Sequence, residues 1–237
     1  IATSPQYIQS SPWLRPHAAK ATVIPLSVDA ERFASPDPAT VAELKARYGG
    51  PLLLFVGRFR HYKGLDYLLE ALRAVPAAQL VLVGSGSEAP HLRQLAERLG
   101  LAARVHWAGD VADADLAAYY AAADVFVLPA HLRAEAFGIV QLEALAAGLP
   151  IVSTELGTGT SYVNQNEQTG LVVPPADPAA LAQAINRLLA NPALRAGFGA
   201  TGQQRARAHF SPGRMLDQLE QVYAEILAKR QEAPSTP

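Results

Sequence analysis

From Pro51 onward, short unbroken apolar runs alternate with longer stretches of helical character. The runs Leu52–Val56, Gln79–Val83, Arg104–Trp107, Asp124–Leu128, Pro150–Ser153 and Gly170–Val173 are predicted as strands. Several carry no polar break, the pattern of strands in a parallel sheet covered on both faces. Helices are predicted over Pro38–Tyr48, Glu88–Leu99 and Gly138–Ala147, stopped by Gly49-Gly50, Gly100 and Gly148. Asp113 and Asp177 read as N-caps, the latter just ahead of Pro178 at a first helical position. Strand and helix in regular alternation predict an α/β fold with a doubly wound parallel sheet.

The two ends depart from this rhythm. Residues 1–20 are rich in Ser, Pro and short polar residues without a period, and read as a linker or the end of another domain. After Pro174-Pro175 the pattern turns wholly helical over 178–191, 193–208 and 212–229, and 231–237 reads as a disordered tail. The expected organisation is an ordered unit at 21–210, a C-terminal helix at 211–230, and flanking pieces. The chain opens on Ile1 and its one methionine is Met215, so it reads as a fragment or processed product.

Composition narrows the function classes. Of 237 residues half are apolar and 17% charged, which is enough apolar material for a sizeable core. The formal net charge of −1 gives no electrostatic case for nucleic acid or an anionic membrane surface. There is no cysteine, which excludes disulfides, thiolate metal sites and a Cys nucleophile together. Apolar runs break within about ten residues, short of the ~20 that a membrane-spanning helix needs, and no basic-then-apolar signal segment is evident.

Ligands of doubly wound sheets sit beyond the carboxyl ends of the strands, so loops that follow strands are the candidates. Gly57-Arg58-Phe-Arg-His-Tyr-Lys63-Gly64 offers a glycine for close approach, then two cations able to clamp a pyrophosphate. A solvated loop would look the same. Gly84-Ser85-Gly86-Ser87-Glu88-Ala89 resembles a dinucleotide-binding turn with Asp110 as its acidic partner, but it falls in the second βα unit rather than the first. Glu135-Ala-Phe137-Gly138-Ile139 leads into a helix that carries Glu143. The glycine lets backbone N–H groups reach an anion at the helix start, and each carboxylate can accept two hydrogen bonds from a diol. Phosphate beside two sets of sugar hydroxyls describes a nucleotide sugar. Gly157-Thr-Gly-Thr-Ser-Tyr162 could wrap a hydroxyl-rich substrate or be a flexible surface loop. The histidines at 17, 61, 91, 106, 131 and 209 show no metal spacing, and no Ser-His-Asp arrangement is evident.

Gly57-Arg58 with Lys63-Gly64, then Glu135-x7-Glu143 running into Ala147-Gly148-Leu-Pro150, then Thr169-Gly170-Leu-Val, resembles the retaining nucleotide-sugar glycosyltransferases of GT-B fold. The likeness is to their large bacterial family of mannosyltransferases and polysaccharide or lipopolysaccharide enzymes. It spans about residues 20–210 and covers only that family's second, donor-binding domain, with Ala2-Thr-Ser-Pro-Gln-Tyr resembling the crossover from the first. The resemblance implies that Arg58 and Lys63 neutralise the donor diphosphate, helped by backbone N–H groups near Gly138 and Ile139. It implies that Glu143 binds the ribose hydroxyls, and that Glu135 with the N–H groups of Phe137 and Gly138 holds the transferred sugar. Gly57, Gly84 and Val111 would lie along the base and phosphates.

By the same resemblance the chain is a metal-independent transferase with no cofactor beyond a GDP- or UDP-linked donor, mannose being one candidate sugar. A glycan or lipid-linked acceptor would be held by a missing N-terminal domain, with no nucleic acid partner and with self-association of the fragment left open. The implied location is cytoplasmic, with peripheral attachment at the inner membrane open for the full-length enzyme. Where the family has Gly-Gly-x-x-Glu this chain has Gly157-Thr-Gly-Thr-Ser-Tyr-Val-Asn164, a form like that of a subset of polysaccharide-assembly enzymes. Two other readings fit the same motifs: a nucleotide-binding module without transferase activity, and a sugar-nucleotide epimerase of the same fold.

Overall fold

A computed structural model of the chain describes residues 1–232. Six parallel strands form one sheet: β1 Leu52–Val56, β2 Gln79–Val83, β3 Val105–Gly109, β4 Val125–Leu128, β5 Ile151–Thr154 and β6 Gly170–Val173. Their order across the sheet is β3-β2-β1-β4-β5-β6, so the winding reverses between β1 and β4. The helices are α1 Pro5–Ser10, α2 Glu31–Ala34, α3 Pro38–Tyr48, α4 Leu65–Leu72, α5 Ala89–Arg98, α6 Leu116–Ala122, α7 Ile139–Ala146, α8 Thr160–Val163, α9 Pro178–Leu189, α10 Pro192–His209 and α11 Pro212–Glu232. Among the described residues no helix is long and apolar enough to cross a membrane.

The continuous apolar runs became strands because helices cover both faces of the sheet. All of β1 and β4 is buried, and Leu53, Leu54, Phe55, Val125, Phe126, Val127 and Leu128 have no exposed surface. Most predicted boundaries agree within one or two residues. Helix α4 was not anticipated, because it starts on Gly64 with no capping side chain, and the short helices α1, α2 and α8 were not anticipated either. The expected cap at Asp113 is not one; α6 begins after Asp115, while Asp113 sits in the preceding loop and its carbonyl accepts a hydrogen bond from Arg32. Asp177, in contrast, does accept from the Ala180 N–H at 2.9 Å. Of the expected tail, residues 231–232 lie within α11 and 233–237 lie outside the described residues.

Residues 1–20, aperiodic in sequence, pack on the body. Ser4 caps α1 by accepting from the Tyr7 N–H at 3.1 Å, Ile8 is buried, and the Ser10 hydroxyl donates to the Gly157 carbonyl. Ala2 bridges to Val23 through two backbone hydrogen bonds of 2.9 Å. At the far edge of the sheet, two of the outward groups of β6 are occupied. The Val172 N–H donates to Asn166 Oδ1 at 2.9 Å and the Gly170 carbonyl accepts from the Glu167 N–H at 2.8 Å, with Glu167 at φ 59°.

Helix α10 braces α7, the helix that follows β4, and glycines set their approach. A Cβ at Gly199 would land on the Gly148 carbonyl, and one at Gly202 would lie 2.9 Å from Leu145 Cδ2; Gly197, two residues before Gly199, faces open space. Two substitutions on one helix should therefore have opposite signs. Gly197→Ala is expected to stabilise by about 0.5–1 kcal/mol through helix propensity. Gly199→Ala is expected to destabilise by about 1–3 kcal/mol through overpacking. Urea unfolding of the two variants checks this, and a shared sign would show that α10 does not need its close contact with α7.

Candidate functional site

The loops leaving β1, β2 and β4 meet where the winding reverses. Gly57, at φ 143°, donates its N–H to the Val83 carbonyl at 3.0 Å, and Gly84, at φ 120°, donates to the Gly109 carbonyl at 2.7 Å. A side chain at Gly84 would run into the Gly57 carbonyl, so the two loops can close together only with glycine there. The Ser85 hydroxyl donates to Asp110 Oδ2 at 2.9 Å and ties in the loop after β3. Between these loops lies an open cleft of about 210 Å³, lined by Gly57, Arg58, Gly84, Ser85, Asp110 and Val111, with Leu116 of α6 as an apolar wall. Arg58 reaches it from the solvent side and is exposed.

Beside this cleft sit two buried opposite charges. After Gly57 the chain makes a single 3-10 turn, His61–Lys63, which ends on Gly64 at φ 67°. Gly64 lies so close to the Pro129 carbonyl that a Cβ would collide with it, which holds the β1 loop against the β4 loop. The turn directs the Lys63 ammonium inward, where it donates to Glu135 Oε2; both residues are only 7% exposed. A charge taken out of water at either position needs the other.

The Glu135 backbone is itself fixed. Its carbonyl accepts from the Thr158 hydroxyl at 2.8 Å, and the next carbonyl, that of Ala136, accepts from the Gly159 N–H at 2.8 Å. A Cβ at Gly159 would meet the Phe137 ring at 2.5 Å, so the loop at 157–160 lies flat on the Glu135 loop. Phe137 is buried and packs edge-on to Phe210, ring centroids 6.4 Å apart. Gly138, at φ 76°, then opens α7 without a capping side chain, and Ile139, the first helical residue, is 47% exposed. The N-terminus of α7, with the positive end of its dipole, thus carries no capping side chain.

Glu143 follows one turn into α7. Its Oε2 accepts from the Tyr120 hydroxyl at 2.7 Å, and Tyr120 is wholly buried. Burial raises the Glu143 pKa above the ordinary carboxylate value; the Tyr120 hydrogen bond and the Arg32 charge pull it down, and Asp113 pushes it up. The Tyr120 phenol is held far above its ordinary value, first by burial and then by the neighbouring Glu143. His131 lies on the same β4 loop with its ring 4.9 Å from that of His61 and 5.1 Å from that of Tyr67. Its pKa is lowered, chiefly by burial, and its Nδ1 is buried with no hydrogen-bond partner among the described residues.

The candidate residues thus fall into one region. Gly57, Arg58, Gly84 and Val111 line the cleft, Lys63 and Glu135 pair where the β1 and β4 loops touch, and Phe137, Gly138, Ile139 and Glu143 lie on the loop and helix that follow β4. What sequence reasoning missed is Tyr120, Thr158 and the direct Lys63–Glu135 pair. Tyr120 lies in an alanine-rich stretch beside Tyr119, and nothing in the sequence marks which of the two tyrosines is buried. The others join segments far apart along the chain and leave no local mark.

The sheet order defines a Rossmann-like domain whose winding reverses between β1 and β4, with the cleft among the loops after β1, β2 and β3. The chain belongs to the family described as glycosyl transferases group 1, whose model matches residues 38–205. It is 39% identical over 211 residues to a D-rhamnosyltransferase, WbpZ, of Pseudomonas aeruginosa, covering 89% of this chain and 55% of that protein. It is 35% identical over 230 residues to the O-antigen chain mannosyltransferase C of Escherichia coli, covering 97% of this chain and 61% of that protein. Among solved structures, sucrose-phosphate synthase of Thermosynechococcus elongatus superposes with a TM-score of 0.85 at 35% identity, covering 96% of this chain and 58% of that one. The fold is accordingly the Rossmann-like α/β fold of GT-B glycosyltransferases. The chain spans a little over half the length of the relatives it matches.

Two outcomes follow from the buried charges. Lys63→Met or Glu135→Leu alone should each lower stability by about 3–5 kcal/mol by leaving its partner's charge buried and uncompensated. The double variant should lose much less than the sum of the two, as read by urea unfolding. For Glu143, the raised folded pKa means that its neutral form favours the fold. That contribution is fully present below the unfolded pKa and is lost as pH rises through the folded one. Glu143→Gln should therefore raise the melting temperature at pH 7.5, with the gain shrinking as pH falls through the carboxylate range. A gain that grows on acidification would contradict this environment for Glu143.

Proposed function

We propose that this chain is the donor-binding part of a retaining glycosyltransferase that uses a GDP- or UDP-linked sugar without a divalent metal. The transferred sugar is read as one of manno configuration. Support for the sugar comes from the names of the two relatives, since D-rhamnose is 6-deoxymannose and shares that configuration. The observation that carries the reading is the convergence of Lys63, Glu135 and the α7 N-terminus at the switch point, with Glu143 one turn further on. Metal independence is read from the positive groups that a diphosphate would meet: the Lys63 ammonium, the Arg58 guanidinium and the N-terminus of α7.

In this reading the donor diphosphate takes Lys63 from Glu135. Lys63, Arg58 and the α7 N–H groups then stabilise the charge that develops on the leaving phosphate. Glu135, released, accepts from hydroxyls of the transferred sugar, and Glu143 accepts from the ribose. Retention follows if the acceptor oxygen bonds to the anomeric carbon on the face from which the phosphate departs. The acceptor's proton passes to that phosphate oxygen. The acceptor itself, a glycan or lipid-linked glycan, is read as held by residues of the longer protein beyond this chain. Its positioning is worth up to ~7–11 kcal/mol of the barrier in favourable cases.

Titration calorimetry in EDTA tests the donor half. The chain should bind GDP or UDP with no divalent ion present. Glu143→Ala should weaken the nucleoside diphosphate by about 1.5–3 kcal/mol, the loss of a charged hydrogen bond. Glu135→Gln should not weaken the nucleoside diphosphate, because Lys63 no longer has to leave a carboxylate, but should weaken the sugar nucleotide. Strict dependence on a divalent ion, or equal losses of both ligands in both variants, would overturn the assignment. A product assay on the longer protein separates the reactions. Free nucleoside diphosphate with a new glycoside supports transfer, while an epimerised sugar nucleotide or no product refutes it.

A further inference from the structure

Tyr120 has the one polar group of α6 that is wholly buried, and a phenylalanine would fill the same space without it. Its ring is clamped edge-on by Phe33 at 5.5 Å and tilted against Phe126 at 5.7 Å between centroids. With the ring held, the hydroxyl has one direction to point, toward Glu143 Oε2 at 2.7 Å, with the Val140 carbonyl at 3.3 Å as a secondary acceptor. One turn earlier on the same helix, Leu116 forms the apolar wall of the cleft. Residues four apart share a helix face. A single short helix therefore shapes the cleft wall and anchors the carboxylate beside it.

We propose that Tyr120 is a positioning residue for ribose recognition, its buried hydroxyl holding one oxygen of Glu143 so that the other is presented to the ribose diol. This rests on the reading of Glu143 as the ribose ligand. A carboxylate tied at one oxygen loses less rotamer freedom on binding, which is the gain from preorganisation. The hydroxyl also favours the ionised carboxylate against its burial. The charged or titratable groups that bear on Glu143 are Tyr120 from α6, Arg32 from α2 and Asp113 from the loop before α6. Of these, Tyr120 is the one in direct hydrogen-bond contact with it.

The experiment titrates GDP, UDP and their 2′-deoxy forms into the chain and its Tyr120→Phe, Glu143→Gln and double variants. Wild type should prefer the ribonucleotides. Tyr120→Phe should lose about tenfold in affinity for them, and less than twofold for the 2′-deoxy forms. On the Glu143→Gln background it should have no further effect. The tenfold loss should deepen at pH 6 and recede at pH 8, because removing the donor lets burial raise the Glu143 pKa further. Equal losses for ribose and deoxyribose, or a lowered melting temperature with unchanged ribose preference, would show that Tyr120 only fills space and would overturn the proposal. A wild type indifferent to the 2′-hydroxyl overturns the placement of Glu143 itself, whatever Tyr120 does, and the proposal falls with it. Should Tyr120→Phe not fold, 3-fluorotyrosine at position 120 keeps the shape and strengthens the donor. It should then move the acid loss of ribonucleotide binding to lower pH, and no movement would refute the role.

Discussion

At the point where the sheet reverses its winding, a lysine from the β1 loop and a glutamate from the β4 loop meet largely buried from water. Much of the surrounding architecture is what allows that pair to exist. Gly64 lets the two loops touch, Thr158 and Gly159 fix the glutamate's backbone, and the burial of β1 and β4 holds the strand ends level. Buried charge pairs seldom add stability relative to apolar replacements. The pair is therefore better read as a tie between the β1 and β4 loops than as a net stabiliser of the fold.

The same loops bring two main chains into direct contact at the cleft. Gly84 crosses Gly57 with no room for a Cβ of its own, which leaves the Gly57 carbonyl against bare backbone. A backbone contact of this kind does not depend on one sequence of side chains. Around it the cleft is lined by side chains of different chemistry, those of Arg58, Asp110, Val111 and Leu116.

Much of the fold could be read in the sequence because a sheet covered on both faces writes itself as unbroken apolar runs, and because Pro178, Pro192 and Pro212 mark helix starts. Helix α4 escaped because Gly64 opens it without a side-chain cap, and Asp113 misled because a polar residue before a helix resembles a cap whether or not it reaches the helix N–H groups. The site was legible as a set of loops after strands, since position along the chain is enough for that. How those loops engage one another was not: Lys63 and Glu135 lie 72 residues apart, and nothing local to either says that they pair. Tyr120 was hidden for another reason, as its importance lies in one hydrogen bond from a residue that looks like core.

The closed edge of β6 has a consequence for how copies of this chain can meet. An edge strand normally offers alternate N–H and C=O groups to any passing extended segment. Here the outward Val172 N–H and Gly170 carbonyl are already taken by Asn166 and Glu167 of the same chain. Holding Glu167 at positive φ costs on the order of 1–3 kcal/mol, a local penalty maintained against the risk of runaway sheet growth. Association through that side would have to displace the chain's own hydrogen bonds first, so the molecule is guarded there against joining its neighbours into a continuous ribbon.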